Sequence, residues 1–406
     1  MDIVDKPYYN VTKYIIILTG LSLHHPKWFN FLSKFYIFFI HFSFIGVQIA
    51  GMIKRLGDID LVLECVTPAC YAIMSSILYI NTNLHVKQVI SLNFLFFFLK
   101  GSFVVINVIF WKMQSDWDTL TSKHEVKILS KYGRKCKIYT TIYTFVLYGN
   151  VLFYYSAHGI PLLIQILQHS DEPKPLIFLI ECGIDSQKYY SLILIYSYMF
   201  GLTCTFGTVN GGTILVMFLE HACGIFDIIG HKLTTAIKEN PDFDNKISTR
   251  KKLLREIKIC VALHRRVILF VNDAQDAYAT AYLLVFGVLI INLSITGVQC
   301  VTNLKNSGDG LRFGCYILCQ VFHIYALTLP TQHLLDTSLS LSSVIYNAEW
   351  YHLSTESKKL LLIIMRKGTE PTTFVVGKIF ILSLQFFTKV LQTSMSYFFV
   401  LNSVRE

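Results

Sequence analysis

Charge is what this chain has least of. Only 15% of its 406 residues are Asp, Glu, Lys or Arg, against 53% hydrophobic, and the mean hydropathy is +0.50. A soluble domain of this length cannot hide so much apolar surface, which excludes a soluble enzyme or regulator and leaves a polytopic membrane protein. Ten cysteines are present, but no CxxC pair and no His/Cys ligand spacing, so neither a metal site nor a disulfide framework is implied. Cys315 and Cys319, one helical turn apart, read as small apolar packing residues. The apolar run Tyr14 to Leu23 is short and lacks a small-residue cleavage site, so no signal peptide is expected. Asp273, Asp276 and Asp336 have no Ser, Cys or His partner at catalytic spacing, and no enzyme or cofactor is expected. His24-His25 reads as an interfacial pair rather than a metal site. No internal inverted repeat is evident, which weakens a transporter reading.

What is abundant is long apolar runs rich in aromatics, with 31 Phe and 23 Tyr in the chain. Seven such runs are read as spans: Phe31–Ile53, Val62–Thr82, Ile138–His158, Tyr189–Leu219, Val267–Cys300, Phe313–Leu341 and Thr373–Val404. The last carries Lys378 near its start and Lys389 deeper within it, and reads as a single helix of about 45 Å, longer than a ~30 Å hydrocarbon core. Counted back from an outer end at Val404, Lys389 lies near the inner interface, where its stem can snorkel, so a structural role is expected for it. Pro330 implies a kink or local break in the sixth span. An eighth apolar stretch, Val89–Phe110, is broken by Lys100-Gly101 and reads as a span, an interfacial helix or an extension of the second span.

Charge placement arbitrates. The formal net charge is +10. The arm up to Lys34 has four Lys against two acids, and Lys112–Lys137 has seven Lys/Arg against three acids. His221–Arg266 has ten against five, and Tyr351–Lys378 five against two. By contrast Gly159–Lys188 holds two Lys against four acids, and Val301–Arg312 only two basic residues. Positive charge in alternate connections places the N-terminus in the cytoplasm and, with seven spans, the C-terminus outside. The basic excess is thus topology, not a nucleic-acid footprint. Eight spans would set two strongly basic connections on opposite sides. The Asn10 sequon is then cytoplasmic and Asn292 lies inside a span, so neither is expected to be glycosylated. This orientation, with no Asp-Arg-Tyr after the third span and no Asn-Pro-x-x-Tyr in the seventh, argues against a G-protein-coupled receptor.

Two groups of residues remain. The outer halves of spans two to six carry aromatics and small polar groups at helical spacing: Tyr71 and Met74; Leu147, Asn150 and Tyr154; Tyr196, Met199, Phe200 and Thr203; Phe313, Tyr316 and Gln320. Such walls suit a small, mostly apolar ligand, although the same stripes also serve as core or lipid-facing surface. At the end of the seventh span, Ser394, Ser396, Asn402 and Ser403 interleave with Tyr397, Phe398, Val400, Leu401 and Val404. A pore-lining helix needs one face that tolerates water and apolar side chains that close by dewetting.

The run Tyr-Asn-x-Glu-Trp-Tyr from Tyr346, the LLLIIMR helix at Leu360–Arg366 and FTKVLQTSMSYFFVL from Phe387 resemble insect odorant receptors, as does HACGIFDIIGHKL at His221–Leu233. The connection before Asp116-Trp117 is longer than that family's. The resemblance implies an all-α integral membrane protein of one domain, with a central pore lined by span seven in a tetrameric, non-selective cation channel. It places an apolar gate on Val400 and Val404, with Ser403 at the polar position beside it. The inner ends of spans four to seven, with about 343–372, are expected to pack into a cytoplasmic anchor that joins subunits through the Tyr346–Tyr351 run and the Leu360/Ile364 face, Leu361 included, and 373–404 to form the pore helix. The short connection Thr234–Arg265 resembles odorant-tuned subunits rather than the common co-receptor. Expected partners are therefore a small volatile odorant, a co-receptor subunit, membrane lipids and permeating cations, in the plasma membrane of a sensory dendrite. A gustatory-type receptor of the same architecture is the alternative, which the HACG and SYF patterns argue against.

Overall fold

The structure is a computed structural model that describes residues 3–21, 26–86, 106–120, 122–167, 173–174, 176–181, 183, 185–239, 247–303 and 307–405. Its helices are α1 (Asn10–Leu18), α2 (Lys27–Lys54), α3 (Ile59–Val86), α4 (Ile106–Thr119), α5 (Lys123–Leu167), α6 (Tyr190–Glu239), α7 (Ile247–Thr302), α8 (Ser307–Tyr346), α9 (Thr355–Gly368) and α10 (Leu384–Arg405). Most of the eighth apolar stretch, and His24-His25, lie outside the described residues. Among those described, α2, α3, α6, α7 and α8 are long and apolar enough to cross a membrane. The apolar runs expected around Ile138 and Thr373 fall on α5 and α10, whose interleaved Tyr, Ser, Thr, Gln and Asn lower their hydropathy below the others.

The bundle is built around α6, which is apolar on every side and 94% buried over its most apolar window. A helix apolar all round can only be central. Its small residues let neighbours approach closely: a Cβ on Gly212 would stand 2.6 Å from the Tyr143 hydroxyl oxygen on α5. At about 1.5 Å per residue, α5 to α8 all outrun a bilayer by several turns. At one end of the bundle α7 and α8 pack against α9 into one body. α8 continues through Pro330 rather than breaking, and the described cysteines are all free.

This body is riveted by buried charge. Asp116 of α4, 6% exposed, accepts from His221 Nε2 at 2.9 Å and pairs with Arg266 of α7. Lys112, one turn earlier on α4, pairs with Asp273, two turns later on α7. Trp117 stacks on Tyr8 at 5.9 Å, with Lys6 over its ring at 4.5 Å, which ties the N-terminal arm to α4.

Two expectations are corrected. The seventh apolar run is not one helix. Val375–Val376 and Phe380–Ile381 form a two-residue antiparallel ladder closed by Gly377 (φ 60°) and Lys378 (φ 61°). Two successive positive φ angles suit a tight hairpin turn, and the β-branched and aromatic run Thr372-Thr373-Phe374-Val375-Val376 favours strand over helix. The hairpin docks on α7 through Val375 N to Gln275 Oε1 (2.8 Å) and Gly377 N to Ala279 O (3.2 Å), with Phe374 and Val376 fully buried. Helix α10 begins only at Leu384, and its 22 residues reach about 33 Å, close to a hydrocarbon core. Lys389 is exposed in its second turn.

The other correction concerns α9. Ser354 caps it by accepting from Ser357 N, and Arg366 and Lys367 stand in its last turn. Leu361 and Ile364 are 0% and 1% exposed and lie in the chain's own core, not on a free face. The uncovered apolar residues here are Tyr346, Tyr351, Leu362 and Ile363.

A candidate ligand cavity and a candidate pore face

In the half of the bundle away from α9, helices α3, α5, α6, α7 and α8 separate around a cavity of about 790 Å³ of empty space, part of it open to the surface. Its wall contains eight of the twelve residues expected from the sequence: Tyr71, Met74, Leu147, Asn150, Tyr154, Phe200, Tyr316 and Gln320. Helical register explains both the hits and the misses. Tyr316 and Gln320 share a face of α8, and the same face carries Cys319 and His323, which also line the cavity. On α6 only Phe200, Gly201 and Thr208 reach it. Phe200 sits at the border, stacked on Phe44 of α2 with 3.4 Å between centroids. Tyr196 turns to α2, where its hydroxyl meets Ser43 Oγ at 2.8 Å. Met199 is 40% exposed outward, and buried Thr203 bonds back to its own helix. Phe313 is buried beside Arg312 and lines a separate groove with Asp60 and Glu64.

The sequence reading missed Asn292 and Leu289 of α7, Tyr155 and Val151 of α5, Thr67 and Pro68 of α3, and Phe178 from the 176–181 loop. Stepping from Tyr316 and Gln320 by three finds Cys319 and His323. No periodic signal finds a loop residue.

Several polar groups of the wall hold partners in it or just behind it. Tyr71 hydroxyl meets Thr205 Oγ1 at 3.1 Å, and Tyr143 hydroxyl meets His323 Nδ1 at 2.9 Å. Asn292 Nδ2 donates to Tyr316 hydroxyl (3.0 Å) and Gln320 Nε2 to Thr296 Oγ1 (3.1 Å). Phe178 is held over the cavity by a clasp in its loop. Glu181 accepts from Lys54 Nζ at 2.8 Å and lies 3.5 Å from Arg55, both at the end of α2. The hydrogen bond from Lys54 holds the Glu181 carboxyl below its ordinary range.

Helix α10 lies on the back of α7. Phe386, Val390 and Ser394 form its buried row, Ser294 Oγ donates to Ser394 O at 2.9 Å, and Phe398 packs on Gly297. Arg405 closes on Asp60 of α3 at 2.8 Å. Val400, Ser403 and Val404 stand on the uncovered face, with Val400 57% and Val404 76% exposed.

The sequence profile of the 7tm odorant receptor family matches residues 80–395, most of the chain. The chain belongs to that family. Among relatives of this receptor, odorant receptor Or2 of Anopheles gambiae is 26% identical over 153 residues, 37% of this chain and 40% of its own length. Odorant receptor 13a of Drosophila melanogaster is 24% identical over 251 residues, 58% of each chain. The matched segments thus span about half the length of these relatives. The receptor's fold is that of the insect olfactory receptor OR5 from Machilis hrabei, solved with eugenol, at a TM-score of 0.73 and 13% identity over 98% of this chain and 99% of that one. The family is one of receptors, not enzymes.

Proposed function

We propose that this receptor is the odorant-tuned subunit of a ligand-gated, non-selective cation channel. It has seven spans, with its N-terminus in the cytoplasm and C-terminus outside, and assembles with a co-receptor in the plasma membrane of olfactory sensory dendrites. A small volatile fills the cavity, and α10 lines the pore with Val400 and Val404 as the apolar gate. One observation carries this reading. The same turns of α7 face the cavity through Leu289 and Asn292 and hold α10 through Ser294 and Gly297. A ligand that moves α7 therefore moves the pore helix directly. The body beyond the spans is the anchor, with Tyr346, Tyr351, Leu362 and Ile363 as its free apolar face. The test is expression with and without a co-receptor, recording current across a panel of volatiles. Odorant-evoked cation current with the co-receptor is the expected result, and ligand binding without any current would reject the channel reading.

Anchor chemistry makes a separable prediction. Leu361→Ala removes buried volume, costs the protomer roughly 2–5 kcal/mol and should abolish monodisperse protein in detergent. Leu362→Ser changes an exposed side chain, is expected to leave folding within about 0.5 kcal/mol, and should reduce co-purification with the co-receptor. Size-exclusion profiles of both variants read the difference.

The Glu181 clasp predicts a pH effect. A carboxyl held low in the folded state contributes its full stabilisation above its ordinary value of 4.5 and loses it as pH falls below that. External acidification toward pH 4 should therefore loosen the Phe178 loop and raise the half-maximal odorant concentration by up to about fivefold, the scale of one partly exposed pair. Glu181→Gln should show that shift at neutral pH and no further change in acid.

A further inference from the structure

The cavity's polar end is short of hydrogen-bond donors, and the shortage is set by a chain of bonds whose direction can be worked out. Thr296 Oγ1 lies 2.7 Å from the Asn292 carbonyl and donates its one hydrogen there. The contact between Thr296 Oγ1 and the Gln320 carboxamide at 3.1 Å then has a single polarity: the hydroxyl has only lone pairs left, so the amide nitrogen must face it. This orients Gln320 and turns Oε1 away, buried and with no donor among the described residues. Asn292 repeats the pattern: Nδ2 donates to the Tyr316 hydroxyl, and Oδ1 is buried without a donor. Both side chains line the cavity and both residues are more than nine-tenths buried. Tyr316, accepting from Asn292, keeps its own hydrogen to give. The same lining carries Leu289, Met74, Leu147 and Phe178 as apolar surface, with His323 one turn beyond Gln320, its Nδ1 on the Tyr143 hydroxyl and its Nε2 buried without a partner among the described residues.

A buried amide oxygen without a donor is costly, and an apolar ligand seals it from water without relieving it. An ether, ketone or aldehyde can accept from Tyr316 but offers nothing to Gln320 or Asn292. A hydroxyl is the smallest group that both donates and accepts. We infer that the cavity selects a small volatile alcohol or phenol, whose hydroxyl donates to Gln320 Oε1, accepts from Tyr316 and lays its apolar body against the Leu289, Met74, Leu147 and Phe178 wall. Gln320 is the specificity-determining residue and Thr296 positions it. The inference rests on the cavity's being the odorant site.

The experiment pairs each alcohol with its methyl ether and parent hydrocarbon over several skeletons, on the receptor co-expressed with a co-receptor. Half-maximal concentrations for alcohols should be lower than for their ethers by roughly 5- to 30-fold, the worth of one otherwise unmade buried hydrogen bond. Gln320→Met, similar in volume, should bring that ratio to within about twofold at normal surface labelling. Thr296→Val leaves Gln320 in place but frees its amide to turn, and should shrink the ratio in the same direction, so the proposal stays testable if either variant fails to reach the surface. Leu147→Trp, which fills the cavity, separates the two readings. If it silences every ligand while wild type treats alcohols and ethers alike, the cavity is the site and the alcohol preference is wrong. If responses survive Leu147→Trp unchanged, the cavity itself is not the site. A wild-type receptor that answers no alcohol of any skeleton also overturns the inference.

Discussion

Val400→Asn and Val404→Asn are expected to raise current in the absence of odorant. If these side chains close the pore by excluding water, the closed state is held partly by the cost of wetting an apolar ring, and an amide lowers that cost by offering hydrogen bonds. A relief of about 1 kcal/mol multiplies the open-to-closed ratio roughly fivefold. Co-receptor helices that keep their own apolar rings dilute the effect, so a modest leak or altered ion selectivity is the predicted signature, with the order of preferred odorants unchanged. Both side chains stand on the face of α10 that α7 leaves uncovered. A lipid-facing role for that face predicts poorer expression and unchanged current per channel. Well-expressed variants at both positions with wild-type leak and selectivity would remove the gate from these residues.

The second large effect lies at the α4–α6–α7 junction and is asymmetric. Asp116 has an 8% exposed side chain, whereas the Arg266 side chain is 45% exposed. Asp116→Asn strands a guanidinium that water can reach, and costs about 1–3 kcal/mol through the His221 and Arg266 bonds. Arg266→Leu strands a carboxylate that water cannot reach, and is expected to cost more, about 3–5 kcal/mol. Thermal unfolding of the purified receptor in detergent should rank Arg266→Leu below Asp116→Asn, and the double variant above Arg266→Leu alone. An equal cost for both single variants would mean that the junction is already hydrated.

Much of the architecture was legible because hydropathy is a local property. The stretches around Phe31, Val62, Tyr189, Val267 and Phe313 each hold enough contiguous apolar residues to need burial or lipid whatever their neighbours do. The SYFFVL and HACGIFDIIGHKL runs carried the resemblance to the family that the profile match then established. Part of the cavity was legible for the same reason. Tyr316 and Gln320, or Leu147, Asn150 and Tyr154, lie on one helical face whatever that face meets.

What the face meets was decided only by the tertiary structure. Met199 and Phe200 are adjacent and similar in hydropathy, yet one points outward and the other lies between α2 and the cavity. In a membrane bundle both environments are apolar, so hydropathy cannot separate them. Phe178 joins the wall because Glu181 clasps the end of α2 more than a hundred residues earlier in the chain. Leu361 and Ile364 read as a free face until α7 and α8 are laid over them. The apolar run from Thr373 read as one helix because its hydropathy is continuous. The chain turns at Gly377 and Lys378 because the hairpin's backbone groups find Gln275 and Ala279 on α7. Burial demand was written in the sequence, and the choice among apolar partners was made by the packing of helices distant in the chain.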